Sequence, residues 1–108
     1  MSPPVRLALL GFTPFESDQI RATLAPEPQA RVHYLLTDDL GSSSLAVLNA
    51  DHEPTVAEVR RQRRMATSVA LGATPCVGAA AQMGRVFNAA VLRRTLDRLA
   101  LATPAVSE

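Results

Sequence analysis

The chain has 108 residues, 47% of them hydrophobic, and a formal net charge of +1. That is room for one domain with one core, and a charge so near neutrality sets up no global field toward nucleic acid or a membrane surface. The single cysteine, Cys76, excludes an internal disulfide, which fits a reducing, cytoplasmic compartment.

Aromatic residues are scarce. Phe12, Phe15, Tyr34 and Phe87 are all there are, so the core is built from Leu, Val and Ala. All eleven basic residues are Arg. The longest apolar run near the amino terminus, Leu7 to Phe12, is too short to span a membrane and no small-residue cleavage site follows it.

Val5 to Leu10 is apolar except for Arg6 and reads as a strand buried on both faces. Gly11-Phe12 ends it. Thr13-Pro14-Phe15-Glu16 then carries the signals of a helix start: a Thr N-cap, Pro at the first position and Glu closing a capping box. Phe15, Ile20 and Leu24 give that helix a narrow apolar stripe, and Pro26 and Pro28 stop it. Val32 to Thr37 is a second strand. Asp38 to Ser44 is turn chemistry. Leu45 to Ala50 is a third strand. Some seven residues between these two strands are few for a parallel crossover, so the intervening helix is expected to be reduced to at most one turn.

Asp51 is placed to cap the next helix, with Glu53 and Pro54 in its first turn. The helix is expected to run to about Met65, with Val56, Val59 and Met65 inward. Thr67 to Leu71 is a fourth strand, and Gly72 to Gly78 a loop. Ala79 to Met83 is a weak fifth strand, again after a connection too short for a helical crossover. Asn88 caps a last helix striped by Leu92, Leu96 and Leu99. From Thr103 the chain reads as a tail or the start of an interdomain linker, leaving 1–102 as the domain. Strands and helices in this order predict an α/β fold with a mostly parallel sheet.

In such a sheet, chemistry sits outside the carboxyl ends of the strands, where Leu45 to Ala50 empties into Asp51-His52-Glu53-Pro54. With that strand and its Pro-containing loop, with Val69-Ala70-Leu71-Gly72-Ala73, and with Gly84-Arg85-Val86-Phe87-Asn88 leading into the Leu stripe, the chain over residues 5 to 101 resembles a response-regulator receiver domain. The resemblance implies a flavodoxin-like five-stranded sheet in the order 2-1-3-4-5. It also implies helices after strands one and five on one face, and only the helix after strand three on the other. That second face is expected to be under-covered, and an uncovered apolar surface marks a partner site: a docking protein or a second copy. The alternative is that short loops carrying Leu40, Cys76 and Val77 fold over it.

The same resemblance implies a degenerate phosphoacceptor region at Asn49, Asp51, Gly72 and Arg85. The family's metal-holding acidic pair falls on Gly11-Phe12, its phosphoacceptor Asp on Asn49, its switch hydroxyl on Gly72 and its Lys on Arg85. A slip of one or two residues would bring Asp51 to the phosphoacceptor place instead. Phosphoryl transfer needs positioning and charge neutralisation by metal and cation. Asn49 is no nucleophile, a hard cation lacks its oxygen cage, and Arg85 is a planar fork rather than a point charge. The expectation is a pseudo-receiver: a non-catalytic signalling module in a bacterial two-component setting, acting through protein contacts, with no metal or cofactor. Alternatives are a phosphoacceptor working through Asp51, or a sensor of anionic small ligands.

The sensor reading rests on Arg60, Arg61, Arg63 and Arg64. They are either a solvated helix face paired with Glu58 and other acids, or a patch for an anionic partner. No aromatic platform accompanies them, which disfavours nucleic acid, and Gly11-Phe12-Thr13-Pro14 is no phosphate-binding fingerprint. Asp38-Asp39 reads as turn acids. His33 and His52 match no metal spacing, Ser42 to Ser44 no nucleophile elbow, and Cys76 reads as a small hydrophobe.

Overall fold

The computed structural model describes residues 4–28, 30 and 32–102. The tail assigned to 103–108 lies outside them. The elements in order are β1 (Val5–Leu10), α1 (Pro14–Thr23), β2 (Tyr34–Thr37), a 3-10 turn (Leu40–Ser42), β3 (Leu45–Asn49), α2 (Glu53–Arg61), a second 3-10 turn (Met65–Thr67), β4 (Ser68–Leu71), β5 (Ala81–Met83) and α3 (Ala89–Ala102). The strands form one sheet in the order β2-β1-β3-β4-β5, parallel at every pairing. This is the flavodoxin-like α/β arrangement, with the helices after β2 and β4 replaced by short segments.

The two faces of the sheet differ in side-chain size. Leu7, Leu9, Leu45, Val47, Val69 and Leu71 point to one face, where Ile20 and Leu24 of the α1 region and Leu92 and Leu96 of α3 pack on them. Between these large residues each central strand places an Ala on the other face: Ala8, Ala46 and Ala70. Ala8 lies directly beside Ala46 in the ladder. Small side chains let backbone approach the sheet closely, so a full helix is not needed to exclude water. Val59 of α2, Leu40 of the first 3-10 turn, Met65 of the second and Cys76 of the 72–80 loop close this side.

This corrects the expectation of an under-covered face. Ala8, Ala46, Leu48 and Ala70 are fully buried, and Leu40 and Cys76 are nearly so. Val77 does not take part and is 78% exposed. Among the described residues the β2 margin stays open. Leu35 lies on the Ala face beside Arg6, both are exposed, and the three-residue turn after β2 does not reach them.

Local signals explain most boundaries. Thr13 caps α1, its side chain accepting from the Glu16 N–H while Glu16 Oε1 accepts from the Thr13 N–H at 3.1 Å. Asn88 Oδ1 accepts from the Val91 N–H at 3.1 Å and starts α3. Three expectations shift. The stripe of α1 keeps Ile20 and Leu24, but Phe15 is 71% exposed. The cap residue of α2 is His52, with no side-chain cap bond, because Asp51 points elsewhere. And α2 ends at Arg61 rather than near Met65. Arg63 turns left-handed at φ 58°, with its N–H bonded to Arg60 O and that of Arg64 to Val59 O, a Schellman ending with a non-glycine in the turning position.

Candidate functional site

The carboxyl ends of β1, β3, β4 and β5 bring together Gly11, Asn49, Asp51, Gly72, Thr74 and Arg85. Asn49 is the last residue of β3 and 7% exposed. Its Nδ2 donates to Gly11 O at 3.0 Å and its Oδ1 accepts from the Asp51 N–H at 2.9 Å. Both ends of the amide are spent on backbone, so Asn49 latches the end of β1 to the end of β3. Residue 11 favours glycine: its φ is +81°, and a Cβ there would lie 2.5 Å from Thr55 Oγ1 and 3.3 Å from Asn49 Cβ.

Asp51 turns away from α2 toward the loop after β4. Its Oδ1 accepts from the Thr74 hydroxyl at 2.7 Å and the Thr74 N–H at 2.9 Å, and from the Ala73 N–H at 3.2 Å. These donors, the Thr74 hydroxyl foremost, hold its pKa below the ordinary carboxylate value. The carboxylate fills the space that a side chain on residue 72 would occupy. A Cβ on Gly72, at φ +149°, would sit 2.8 Å from Asp51 Oδ2. Where the resemblance puts a switch hydroxyl, the chain has a glycine and packs a carboxylate into the vacancy.

Arg85, in the turn after β5, reaches back to α1. Its Nε donates to Glu16 Oε2 at 3.0 Å, its Nη2 bonds the same oxygen, and its Nη1 lies 3.5 Å from Asp51 Oδ2. Glu16 thus divides its oxygens, one closing the capping box and the other holding the guanidinium. The Arg85 bonds come first in depressing the Glu16 pKa, and Glu16 first in raising that of Arg85. The result is a continuous chain of contacts, Thr13–Glu16–Arg85–Asp51–Thr74, joining four segments at one end of the sheet. Two carboxylates share one guanidinium, so the cluster is formally negative and its cation is already committed.

Gly11 and Phe12 carry no carboxylate. Among the described residues no group of three or more His, Cys, Asp or Glu side chains could hold a metal ion. Asp38, Asp39 and Glu58 line a neighbouring cleft of about 370 Å³ with Leu10, Gly11 and Thr55. There Asp39 Oδ1 accepts from the Gly41 N–H at 3.1 Å and starts the 3-10 turn, the turn role read from the sequence.

The arginine cluster does not present one surface. Arg60 Nη1 donates to Val77 O at 3.1 Å and pins the 72–80 loop. Arg61 pairs with Glu58. Arg64 donates to Leu40 O at 2.9 Å and to Ser43 O, so it clamps the turn that replaces a helix. Arg63 alone has no side-chain partner among the described residues. His52 Nδ1 meets Thr55 Oγ1 at 2.6 Å, His33 is exposed, and Cys76 is buried, which pushes its thiol pKa up.

Two members of the cluster escaped the sequence reading. Glu16 was legible only as a capping residue, and nothing local links it to Arg85, 69 positions away. Thr74 stood in a run of loop residues with no pattern to mark it. Comparison of the chain with family models, with curated proteins and with solved structures finds no match.

Proposed function

We propose that this chain is a pseudo-receiver: a non-catalytic module of bacterial signalling that works through protein contacts and takes up no phosphate. The flavodoxin-like sheet is the scaffold the resemblance calls for. The observation that carries the reading is the state of Arg85, the cation of the cluster. Arg85 is engaged by Glu16 and Asp51, and an incoming phosphoryl group would have to displace a carboxylate to reach it. Asn49 adds to this, since an amide with both ends bonded is neither a nucleophile nor a metal ligand at that place. Phosphoryl transfer draws its rate from charge neutralisation in a prepared site. Here the residual charge is negative and repels the donor.

The test is intact mass after incubation with Mg²⁺ and acetyl phosphate, with light scattering on the same samples. The expected result is an unmodified mass and an unchanged assembly. A stable phosphoryl adduct lost on Asp51→Ala would replace this reading with a phosphoacceptor working through Asp51.

A further inference from the structure

The geometry points to the free edge of β2 as a self-association site, where two copies of this chain pair antiparallel about Leu35 to make one continuous sheet. The inference rests on the reading of the chain as a contact module. It does not depend on whether the chain is phosphorylated.

An edge strand offers a row of unpaired N–H and C=O groups, and proteins blunt such edges with charges, Pro, bulges or short length. The edge at β5 is three residues long. β2 is four residues long, and its ladder to β1 reaches one residue further, to His33. From Val32 to Thr37 it has no charged residue, no Pro and no Gly, and Leu35 stands 48% exposed beside it. This is the margin that the missing helix leaves open.

The occupant follows from the register. The Val5 N–H donates to His33 O, and Val5 is aligned with Tyr34. In a parallel ladder, His33, Leu35 and Thr37 therefore turn their main-chain groups toward β1. Tyr34 and Leu36 turn theirs outward. A two-fold axis through Leu35 sets Tyr34 of one copy opposite Leu36 of the other. Those two are the residues able to exchange both main-chain bonds, as a hydrogen-bonded antiparallel pair does. Leu35 then meets its own copy in the close, non-hydrogen-bonded position, on the face where it is exposed. Antiparallel pairing also brings His33, at the start of one strand, alongside Thr37 and Asp38, at the end of the other. His33 and Asp38 are both exposed, and neither side chain has a partner among the described residues. An isologous contact needs a surface complementary to itself, and this strand is one.

The test is disulfide trapping. In a non-hydrogen-bonded antiparallel pair the Cα atoms lie about 4.5 Å apart, within disulfide reach. Leu35→Cys under mild oxidation is expected to yield a covalent species of twice the chain's 11.5 kDa. Arg6→Cys is the control: it is exposed on the same face but one strand further in, roughly 14 Å from its copy at the spacing of paired strands, and is expected not to cross-link. Light scattering of the wild-type chain is expected to show a mass that doubles as concentration rises, and Leu35→Lys, which sets like charges across the axis, a monomer. Far-UV circular dichroism checks that each variant is folded. A wild-type monomer at all concentrations, a dimer that survives Leu35→Lys, or equal cross-linking of Leu35→Cys and Arg6→Cys would overturn the proposal.

Discussion

Asn49→Asp would restore a carboxylate at the position the resemblance gives to the phosphoacceptor, and the structure says what that costs. The substitution replaces Nδ2, a donor 3.0 Å from Gly11 O, by an oxygen. A hydrogen bond is lost, Gly11 O loses its partner, and two acceptors face each other in a position that is 7% exposed. Leaving a buried acceptor unsatisfied costs about 1–3 kcal/mol, and partial burial of a charge adds to it. The expected loss at neutral pH is about 2–4 kcal/mol, roughly 10–20 °C in Tm for a domain of this size. The sign with pH also follows. Burial and the facing carbonyl raise the new carboxyl's folded pKa above its unfolded value. Its deficit is therefore absent at pH below the unfolded value, grows as pH rises through the interval, and is complete above the folded value. Urea denaturation followed by circular dichroism, at several pH values, reads both. A variant as stable as the wild type at neutral pH, or one whose deficit shrinks as pH rises, would refute the role given to Asn49.

Three further outcomes are expected. The folded-state pKa values of Glu16 and Asp51 are both lowered, so their stabilisation is present above the unfolded carboxylate values and disappears as pH falls through the folded ones. Arg85→Ala should remove the Glu16 part of that acid limb, where Arg85 is the leading cause, and leave most of the Asp51 part, which Thr74 sustains; an unchanged limb would show that Arg85 is not the partner of Glu16. Tyr34 is the only tyrosine, and its hydroxyl donates to Asp97 Oδ1 at 2.6 Å. Burial first, and then the hydrogen bond to Asp97, push its pKa well above the ordinary value. Ultraviolet titration should therefore show no phenolate at pH 10 to 11 in the folded chain and a normal transition in denaturant. Arg64→Ala removes charged donors from Leu40 O and Ser43 O and should cost about 1–3 kcal/mol, whereas Arg63→Ala should stay within about 0.5 kcal/mol. Equal losses would mean that the arginines act as one surface.

The sheet was legible because its signals are local. Apolar runs marked every strand, the capping box at Thr13 and Glu16 and the Asn88 cap marked two helix starts, and the short connections after β2 and β4 announced their missing helices. The sequence left two readings of the second face open, an uncovered partner surface or closure by loops, and the second holds for Leu40 and Cys76 but not for Val77. The alternation Leu7-Ala8-Leu9, Leu45-Ala46-Val47 and Val69-Ala70-Leu71 carried the outcome in plain view: a face with alanines at its centre can be closed by one helix and short loops. The site was legible by position and not by wiring. Asn49, Asp51, Gly72 and Arg85 do gather at one end of the sheet. That Arg85 reaches for Glu16 and that Asp51 caps the loop at Thr74 rather than α2 depend on contacts across the fold, which no spacing encodes. Arg63 shows the same limit at the level of backbone. Its left-handed turn ends α2 early where the sequence offers no glycine to mark it.

The central claim is that the chain's own contacts hold the place of a phosphoryl group. Amide and arginine-Nε NMR with Mg²⁺ and beryllofluoride, a phosphoryl mimic, tests it most directly. The account predicts that the resonances of Asn49, Asp51, Ala73, Thr74 and the Arg85 side chain stay where they are. Saturable shifts centred on Asp51 and Thr74, abolished by Asp51→Asn, would contradict it and make this cluster a working phosphoryl site.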